Sequence, residues 1–387
     1  MKNLFMPGRI RGDYADAGDF LRVASVGFVG WFHIWQQSWL NPNLEIGSFT
    51  VNFYPQVACG YMFVDLMLLL SGFLLMLGYL SGRIGSWKDF YTARAARIMP
   101  SYYLCIAVML FVFALPGGLY GSGKHMWTDI LSHLTFTHNF FYESYIGTRL
   151  NGALWTLAVE MQFYLAFPLI AKVFKKRPVS SWLVMTLLSW LLRMYLSYQT
   201  RDISIYFNRL GAMLDVYANG MLAAWIYVKL ADREQKAWQA WLNTALTIGA
   251  AMAICHVVRY QFYNLRSNNQ FGQMLLRSPL TLAGSVFLVC GSRSVVLLRK
   301  LLSNRPVRFL SGLTFNFYIW HQFLAVKLKE WRIPFYEGEN PNQAGLMPWQ
   351  ARYTAVCFLG ALALSLAITY LIEKPCGRWI KRRFAGK

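Results

Sequence analysis

The sequence predicts an all-α, polytopic membrane protein with about ten transmembrane helices. Hydrophobic residues make up 56% and charged residues 14% of the 387 positions, whereas a soluble domain carries about 25% charged residues. Apolar segments long enough to cross a bilayer follow one another along the whole chain. They lie at residues 18–40, 57–80, 100–117, 152–174, 179–198, 207–229, 238–257, 275–298, 309–328 and 350–373. We expect one transmembrane domain over residues 1–387, with no fused periplasmic domain.

The distribution of Lys and Arg predicts which side of the membrane each end occupies. If the N-terminal segment with Lys2, Arg9 and Arg11 is cytoplasmic, about 26 of the 38 basic residues fall on that side, as the positive-inside rule requires. An even number of spans then places the C-terminus on the same side. We therefore expect both ends in the cytoplasm and a multi-pass protein of the cell inner membrane, in contact with its lipids.

The composition also excludes other classes of protein. A net charge of +21 could suggest nucleic-acid binding, but the basic residues lie mostly between apolar spans and do not form one basic face. The charged N-terminal segment runs into a long apolar span without a small-residue cleavage site, so we expect no cleavable signal peptide. The cysteines show no metal-ligand spacing, and five of them lie in or beside apolar spans, which predicts small core residues without a disulfide framework. They are Cys59, Cys105, Cys255, Cys290, Cys357 and Cys376.

Within the first span, the stretch RVASVGFVGWFH begins with Arg22 and ends with His33. Eleven helical steps of about 100° bring the two side chains to nearly the same face, roughly 16 Å apart along the axis. Ionisable groups in a spanning helix usually face a bundle interior or a wet cavity. The alternative is that Arg22 anchors the helix at the interface and His33 is a buried histidine with satisfied hydrogen bonds.

Two further spans carry carboxylates. Asp65, in VDLMLLLSGFLL, lies at a depth that suits a partner for a basic residue such as His33, although a helix-dipole or interfacial role is the alternative. Glu160, in the fourth span, could orient His33 or neutralise Arg22, or it could form a purely structural ion pair.

A basic stretch, SWKDFYTARAARIMP, follows the second span on the predicted cytoplasmic side. Arg94 and Arg97 are three positions apart and are therefore neighbours on one helical face. Paired guanidinium groups suit a phosphorylated ligand because each donates a fork of hydrogen bonds to phosphate oxygens. The alternative is an anchor that binds lipid headgroups.

The remaining features lie in loops and in the last two spans. Residues 118–150 and 329–349 are predicted to face the outside, and the first of these loops to contain a short interfacial helix. His321 lies near the outer half of the ninth span, in FNFYIWHQFL. Lys374 and Pro375 are predicted to end the last span at the cytoplasmic face.

The combination of these motifs resembles the membrane acyltransferase-3 family. The resemblance depends on their order along the chain: Arg22-x10-His33, VDLMLLLSGFLL, FYTARAARIMPSYY, LNGALWTLAVEMQFYLAFP, FNFYIWHQ and YLIEKP. It covers essentially the whole chain, as one ten-helix unit. No single motif is highly specific, but their ordered combination is.

Members of that family are multi-pass bacterial enzymes that acylate cell-surface carbohydrates and related acceptors, most often with acetyl groups from acetyl-CoA. The resemblance implies that Arg22 and His33 match the family's essential pair. Arg94 and Arg97 match its RxxR pair, which handles the acyl-CoA. Glu160 matches the first Glu of the usual VEEQFYL, whose second Glu is a methionine here, and this departure argues against a paired-carboxylate role.

We therefore expect an O-acyltransferase that moves an acyl group, acetyl by family analogy, from cytoplasmic acyl-CoA to a hydroxyl of a cell-surface or lipid-linked carbohydrate, without a metal. The expected catalytic residues are His33, Arg22, Glu160 and Asp65. The expected donor-binding residues are Arg94, Arg97 and Arg22. The expected acceptor-binding residues are His321, Asn139 and Trp155. The alternative is a multi-pass transporter of a small solute, although the inverted repeats common in carriers are not evident here.

Overall fold

The computed structural model describes residues 6, 12, 14–199, 204–231 and 233–384. Lys2, Arg9 and Arg11 of the basic N-terminal segment lie outside the described residues. The described part is predominantly helical. Its α-helices are α1 (Ala17–Ser38), α2 (Tyr54–Ala58), α3 (Phe63–Leu80), α4 (Trp87–Val108), α5 (Gly123–Leu134), α6 (Tyr142–Tyr145), α7 (Trp155–Lys176), α8 (Pro178–Gln199), α9 (Ser204–Phe207), α10 (Leu214–Ala231), α11 (Ala237–Asn264), α12 (Asn269–Gly291), α13 (Val296–Leu302), α14 (Arg305–Glu330), α15 (Met347–Ile368) and α16 (Lys374–Phe384).

The long helices correspond to the predicted spans. Within the described residues, α1, α3, α4, α7, α8, α10, α11, α12, α14 and α15 each have at least 18 residues, and each overlaps one predicted span. Seven helical segments are long and apolar enough to cross a membrane, so the multi-pass architecture is confirmed. Helices α1, α10 and α14 fall below that hydropathy because they carry polar side chains, and the total of ten spans stays a prediction.

Helix α4 begins much earlier than the predicted third span. The Ser86 hydroxyl caps it by accepting a hydrogen bond from the Asp89 backbone N–H at 3.1 Å. Pro100 lies inside the helix, where it removes one backbone hydrogen bond without ending the helix. The segment with Arg94 and Arg97 is therefore continuous with the span that follows it.

A short β-hairpin between α1 and α2 was not predicted. Strands β1 (Asn43–Ile46) and β2 (Phe49–Asn52) pair antiparallel, with Asn43 opposite Asn52. Gly47 adopts a φ of 60° in the two-residue turn, which glycine allows without strain. Four-residue strands are too short to give a clear alternating pattern, so the all-α prediction missed them. The short helix predicted within residues 118–150 is present as α5.

Glycines allow the central helices to approach one another closely. Helix α3 packs against α10, and a Cβ on Gly72 would lie 2.7 Å from the Tyr217 carbonyl oxygen. Helix α1 packs against α14 in the same way, because a Cβ on Gly30 would lie 2.6 Å from the Phe317 ring. Small residues at helix crossings allow such close approach, and the second contact brings α1 beside His321.

The cysteines follow the prediction only in part. All six are free thiols in the structure, so no disulfide framework forms among them. Four are buried, but Cys255 and Cys376 are exposed. The expectation that Cys255 is a core residue was wrong, because it lies on an outward face of α11.

Candidate active site

Three adjoining cavities run through the helical bundle. We call them the mouth cavity, the inner cavity and the outer cavity. The mouth and inner cavities share Arg94 and Arg97 as lining residues. The inner and outer cavities share Val64 and Tyr318. Because neighbouring cavities have walls in common, they follow one another from the RxxR end of the bundle to His33.

The inner cavity has a volume of about 160 Å³ and concentrates charge. It is lined by Arg22 from α1, Arg94 and Arg97 from α4, and Glu160 from α7. Arg22 donates a hydrogen bond to the Ser311 hydroxyl at 3.5 Å. None of the three arginines forms an ion pair within 4.0 Å with any carboxylate in the part of the chain that the structure describes. The lining of the inner cavity thus has more arginine side chains than carboxylates that could neutralise them.

Aromatic rings hold the arginines of α4 in place. The Arg94 guanidinium lies 5.6 Å from the Phe90 ring centroid and 5.7 Å from that of Tyr164. The Arg97 guanidinium lies 6.0 Å from the centroid of Phe315. Such cation–π contacts orient a guanidinium while leaving its N–H donors free for an anion.

The mouth cavity has a volume of about 380 Å³ and lies between α4 and α16. Besides Arg94 and Arg97, residues from the end of the last span and from α16 line it. These are Glu373, Lys374, Gly377, Arg378 and Lys381. The mouth cavity therefore extends the positive charge of the inner cavity to the surface.

The outer cavity has a volume of about 210 Å³ and contains His33. Its lining includes one pair of opposite charges, Asp65 and Arg277. The other polar and aromatic lining residues include Trp155, Phe32, Tyr61, Asn208 and Gln273. A mixture of aromatic rings and amide groups suits a sugar ring, which presents apolar C–H faces and polar hydroxyls.

His33 is paired with His321. The His33 Nδ1 atom lies 2.8 Å from His321 Nε2, and His321 Nδ1 lies 3.0 Å from the Phe317 carbonyl oxygen. The carbonyl only accepts hydrogen bonds, so His321 Nδ1 must carry the proton and Nε2 must accept. His33 then donates from Nδ1, which leaves its Nε2 lone pair available when the imidazole is neutral.

The structure corrects two predicted partners of His33. Asp65 does not contact His33; it forms a buried ion pair with Arg277, with 2.9 Å between Nε and a carboxylate oxygen. Glu160 lines the inner cavity and not the outer one, so it lies with Arg22 and does not orient His33. His321 takes the position that we expected for a carboxylate.

The three residues predicted to bind the acceptor substrate lie in different environments in the structure. Trp155 lines the outer cavity beside His33. His321 uses both ring nitrogens for protein contacts. Asn139 is fully buried, accepts a hydrogen bond from Gln162 at 2.9 Å, and donates to the Asn208 carbonyl. Of these three residues, only Trp155 is open to a ligand in the outer cavity.

Sequence reasoning missed Arg277. Its guanidinium also donates to the backbone carbonyls of Phe207 and Ala212 and to the side chain of Asn208. A buried arginine inside a predicted span was the available signal, because such a cation requires a carboxylate partner elsewhere in the bundle. Within the described residues, no group of three or more His, Cys, Asp or Glu side chains is arranged to hold a metal ion.

Comparisons with known proteins agree with the resemblance of the motifs. A family model described as "Acyltransferase domain" matches residues 17–373. Nodulation protein 10 of Rhizobium leguminosarum bv. viciae is 26% identical over 250 residues, which cover 59% of this chain and 65% of the relative. The peptidoglycan O-acetyltransferase OatA of Listeria monocytogenes is 25% identical over 288 residues, which cover 68% of this chain and 44% of the relative. No solved structure matches.

The chain spans less than two thirds of the length of these relatives. A further relative, the O-acetyltransferase OatA of Staphylococcus aureus, is 23% identical over 302 residues, which cover 73% of this chain and 48% of the relative. The family match spans nearly the whole chain, including both residues of the first-helix motif, Arg22 and His33. We conclude that the chain belongs to the acyltransferase-3 family.

Proposed function

We propose that this protein is a membrane O-acyltransferase that transfers an acyl group, acetyl in the simplest case, from acyl-CoA to a carbohydrate hydroxyl. The observation that carries the proposal is the row of three adjoining cavities. An unpaired cluster of arginines lies at one end and a histidine with an available nitrogen lies at the other. The printed names of the relatives, which include peptidoglycan O-acetyltransferases, support a glycan acceptor.

The donor enters at the mouth cavity in this proposal. Arg94 and Arg97 bind its pyrophosphate through charge-assisted hydrogen bonds, and Arg22 completes the positive surface of the inner cavity. Glu160 limits the repulsion among these arginines. Arg22 and His33 are roughly 16 Å apart along the helix axis, so the pantetheine arm lies beside α1 with the thioester at the outer cavity.

The acceptor occupies the outer cavity, with a sugar ring against Trp155 and a hydroxyl beside His33. His33 Nε2 takes the hydroxyl proton as the oxygen attacks the thioester carbonyl carbon. The new C–O bond forms, the C–S bond breaks, and the imidazolium returns its proton to the CoA thiolate. The products are an acyl ester and free CoA. His321 keeps the Nδ1 proton of His33 in place, and Asp65 acts by holding Arg277.

The orientation follows from the proposed donor. Acyl-CoA is cytoplasmic, so the mouth cavity opens to the cytoplasm, both chain ends lie on that side, and the protein resides in the cell inner membrane. The basic residues around the mouth cavity support this orientation, since cytoplasmic surfaces of membrane proteins are enriched in Lys and Arg.

Mass spectrometry of envelope glycans tests the proposal. We compare cells that lack the gene with cells that carry the wild-type chain, His33→Gln or His256→Gln. The wild-type chain adds one acetyl unit to a glycan, and His33→Gln lowers the transfer rate by about 10²–10⁴-fold because it removes the general base. His256 is exposed on α11 and lines none of the three cavities, so His256→Gln keeps wild-type transfer. Full transfer by His33→Gln would contradict the mechanism, and identical glycans with and without the gene would contradict the function.

A further inference from the structure

Helix α16 carries basic side chains on different faces. Arg378 and Lys381 are three positions apart, which makes them neighbours on the helix, and both line the mouth cavity. Arg382 and Arg383 belong to the same helix and are also exposed, but they do not line the mouth cavity. One face of α16 therefore contributes cations to the cavity, and the helix offers a matched pair of cations outside it.

Close packing fixes where that face lies. Helix α16 packs against α4, and Gly377 sits at the contact. A Cβ on Gly377 would lie 2.6 Å from the Ala96 carbonyl oxygen, so a larger residue would push the two helices apart. The close approach holds Arg378, the next residue of α16, beside the face of α4 that carries Arg97.

The lining of the mouth cavity has more cationic side chains than carboxylates. Glu373 is the one carboxylate in its lining, and it accepts a hydrogen bond from the Asn316 amide at 2.7 Å. Neither Arg378 nor Lys381 forms an ion pair within 4.0 Å with a carboxylate of the described residues. Like charges on facing helices repel, so this arrangement favours a bound polyanion.

The order of groups along acyl-CoA matches the order of cations along the cavities. The thioester must reach His33, and the pantetheine arm follows it outward. The pyrophosphate comes next, at Arg94 and Arg97, which line both the inner and the mouth cavity. The ribose and its 3′-phosphate come last, where the mouth cavity alone is lined by Arg378 and Lys381.

We infer that Arg378 and Lys381 form the binding site for the 3′-phosphate of the donor nucleotide, an inference that rests on the proposed function. This site distinguishes CoA from 3′-dephospho-CoA. It also gives α16 a role in donor selection that a general membrane anchor would not have.

Calorimetric titration of the full chain in lipid nanodiscs tests this site without needing an acceptor. The probes are CoA and 3′-dephospho-CoA, and the variants are Arg378→Gln/Lys381→Gln and Arg382→Gln/Arg383→Gln. We expect the wild-type chain to bind CoA about 10-fold more tightly than 3′-dephospho-CoA, since charge-assisted hydrogen bonds are strong. The cavity-facing double variant binds both probes with the Kd that the wild-type chain shows for 3′-dephospho-CoA. Because the Kd of the variant for 3′-dephospho-CoA equals that of the wild-type chain, this measurement also shows that the variant is folded.

Two controls distinguish this site from overall charge and from a lipid-headgroup site. The Arg382→Gln/Arg383→Gln variant loses the same charge and keeps the preference for CoA; an equal loss in both variants would mean that only overall charge matters, and would overturn the inference. The preference persists in nanodiscs of phosphatidylcholine with added phosphatidylglycerol; its disappearance there would assign the site to a lipid headgroup. A cavity-facing variant that still prefers CoA would also overturn it.

The outcomes for the site and for the reaction can be separated. A wild-type chain that shows the preference but acetylates no glycan contradicts the proposed function and leaves the 3′-phosphate site standing. A chain that acetylates glycan but binds CoA and 3′-dephospho-CoA equally contradicts the 3′-phosphate site alone.

Discussion

The inner and outer cavities differ in whether their charged side chains form ion pairs. In the inner cavity, Arg22, Arg94 and Arg97 have no carboxylate within ion-pair distance in the described chain. In the outer cavity, Asp65 and Arg277 neutralise each other, and the histidine beside them pairs with a second histidine. Unpaired cations suit the binding of an anion, whereas paired charges suit a neutral base. Under the proposed function, this difference assigns donor binding to the inner cavity and proton transfer to the outer cavity.

Breaking the ion pair of the outer cavity should have the largest effect. Asp65→Asn leaves Arg277 as an uncompensated buried cation, which should lower the free energy of unfolding by about 3–5 kcal/mol. Denaturant unfolding of the purified protein measures this value. Glu330→Gln is the control, because its pair with Lys327 is half exposed on the Glu330 side and should contribute less than about 1 kcal/mol. Equal losses in both variants would mean that the outer cavity does not depend on charge pairing.

Removing the partner of His33 should have the next largest effect. His321→Phe removes the acceptor that holds the Nδ1 proton, so the rate of acyl transfer should fall by about 10–100-fold. The KM for acyl-CoA should stay at the wild-type value because the inner cavity is untouched. His321→Gln, whose amide oxygen can accept the same hydrogen bond, should recover part of the rate. A purely structural role for His321 would instead move both kinetic constants together, with no recovery in the Gln variant.

Weakening the inner cavity should have the smallest effect of the three. Arg94→Gln should raise the KM for acyl-CoA about 10-fold with little change in kcat, because one charge-assisted contact to the donor is lost. Added salt should raise the wild-type KM more than that of the variant. Arg352→Gln removes an exposed arginine near the start of α15 and should change neither constant. A fall in kcat at constant KM would assign Arg94 to the chemical step instead.

Local patterns in the sequence predicted much of this arrangement. Hydropathy located the ten long helices, with the largest displacement at α4, and helical periodicity placed Arg22 and His33 on one face. In the structure, Arg22 lines the inner cavity and His33 lines the adjoining outer cavity. The spacing of Arg94 and Arg97 likewise predicted that they share a face, and both line the same two cavities. These features depend on backbone geometry that neighbouring residues set by themselves.

The choice of partners was decided by tertiary structure. His33 and His321 are 288 positions apart, whereas the sequence suggested Asp65 or Glu160 as the partner of His33. The close crossing of α1 and α14 at Gly30 brings His321 into contact with His33. The packing of α12 against α3 brings Arg277 within ion-pair distance of Asp65. The sequence by itself determined which helices form and which faces are polar. Only the packing of those helices determined which polar groups meet, because contact between distant segments depends on crossing points that no local pattern encodes.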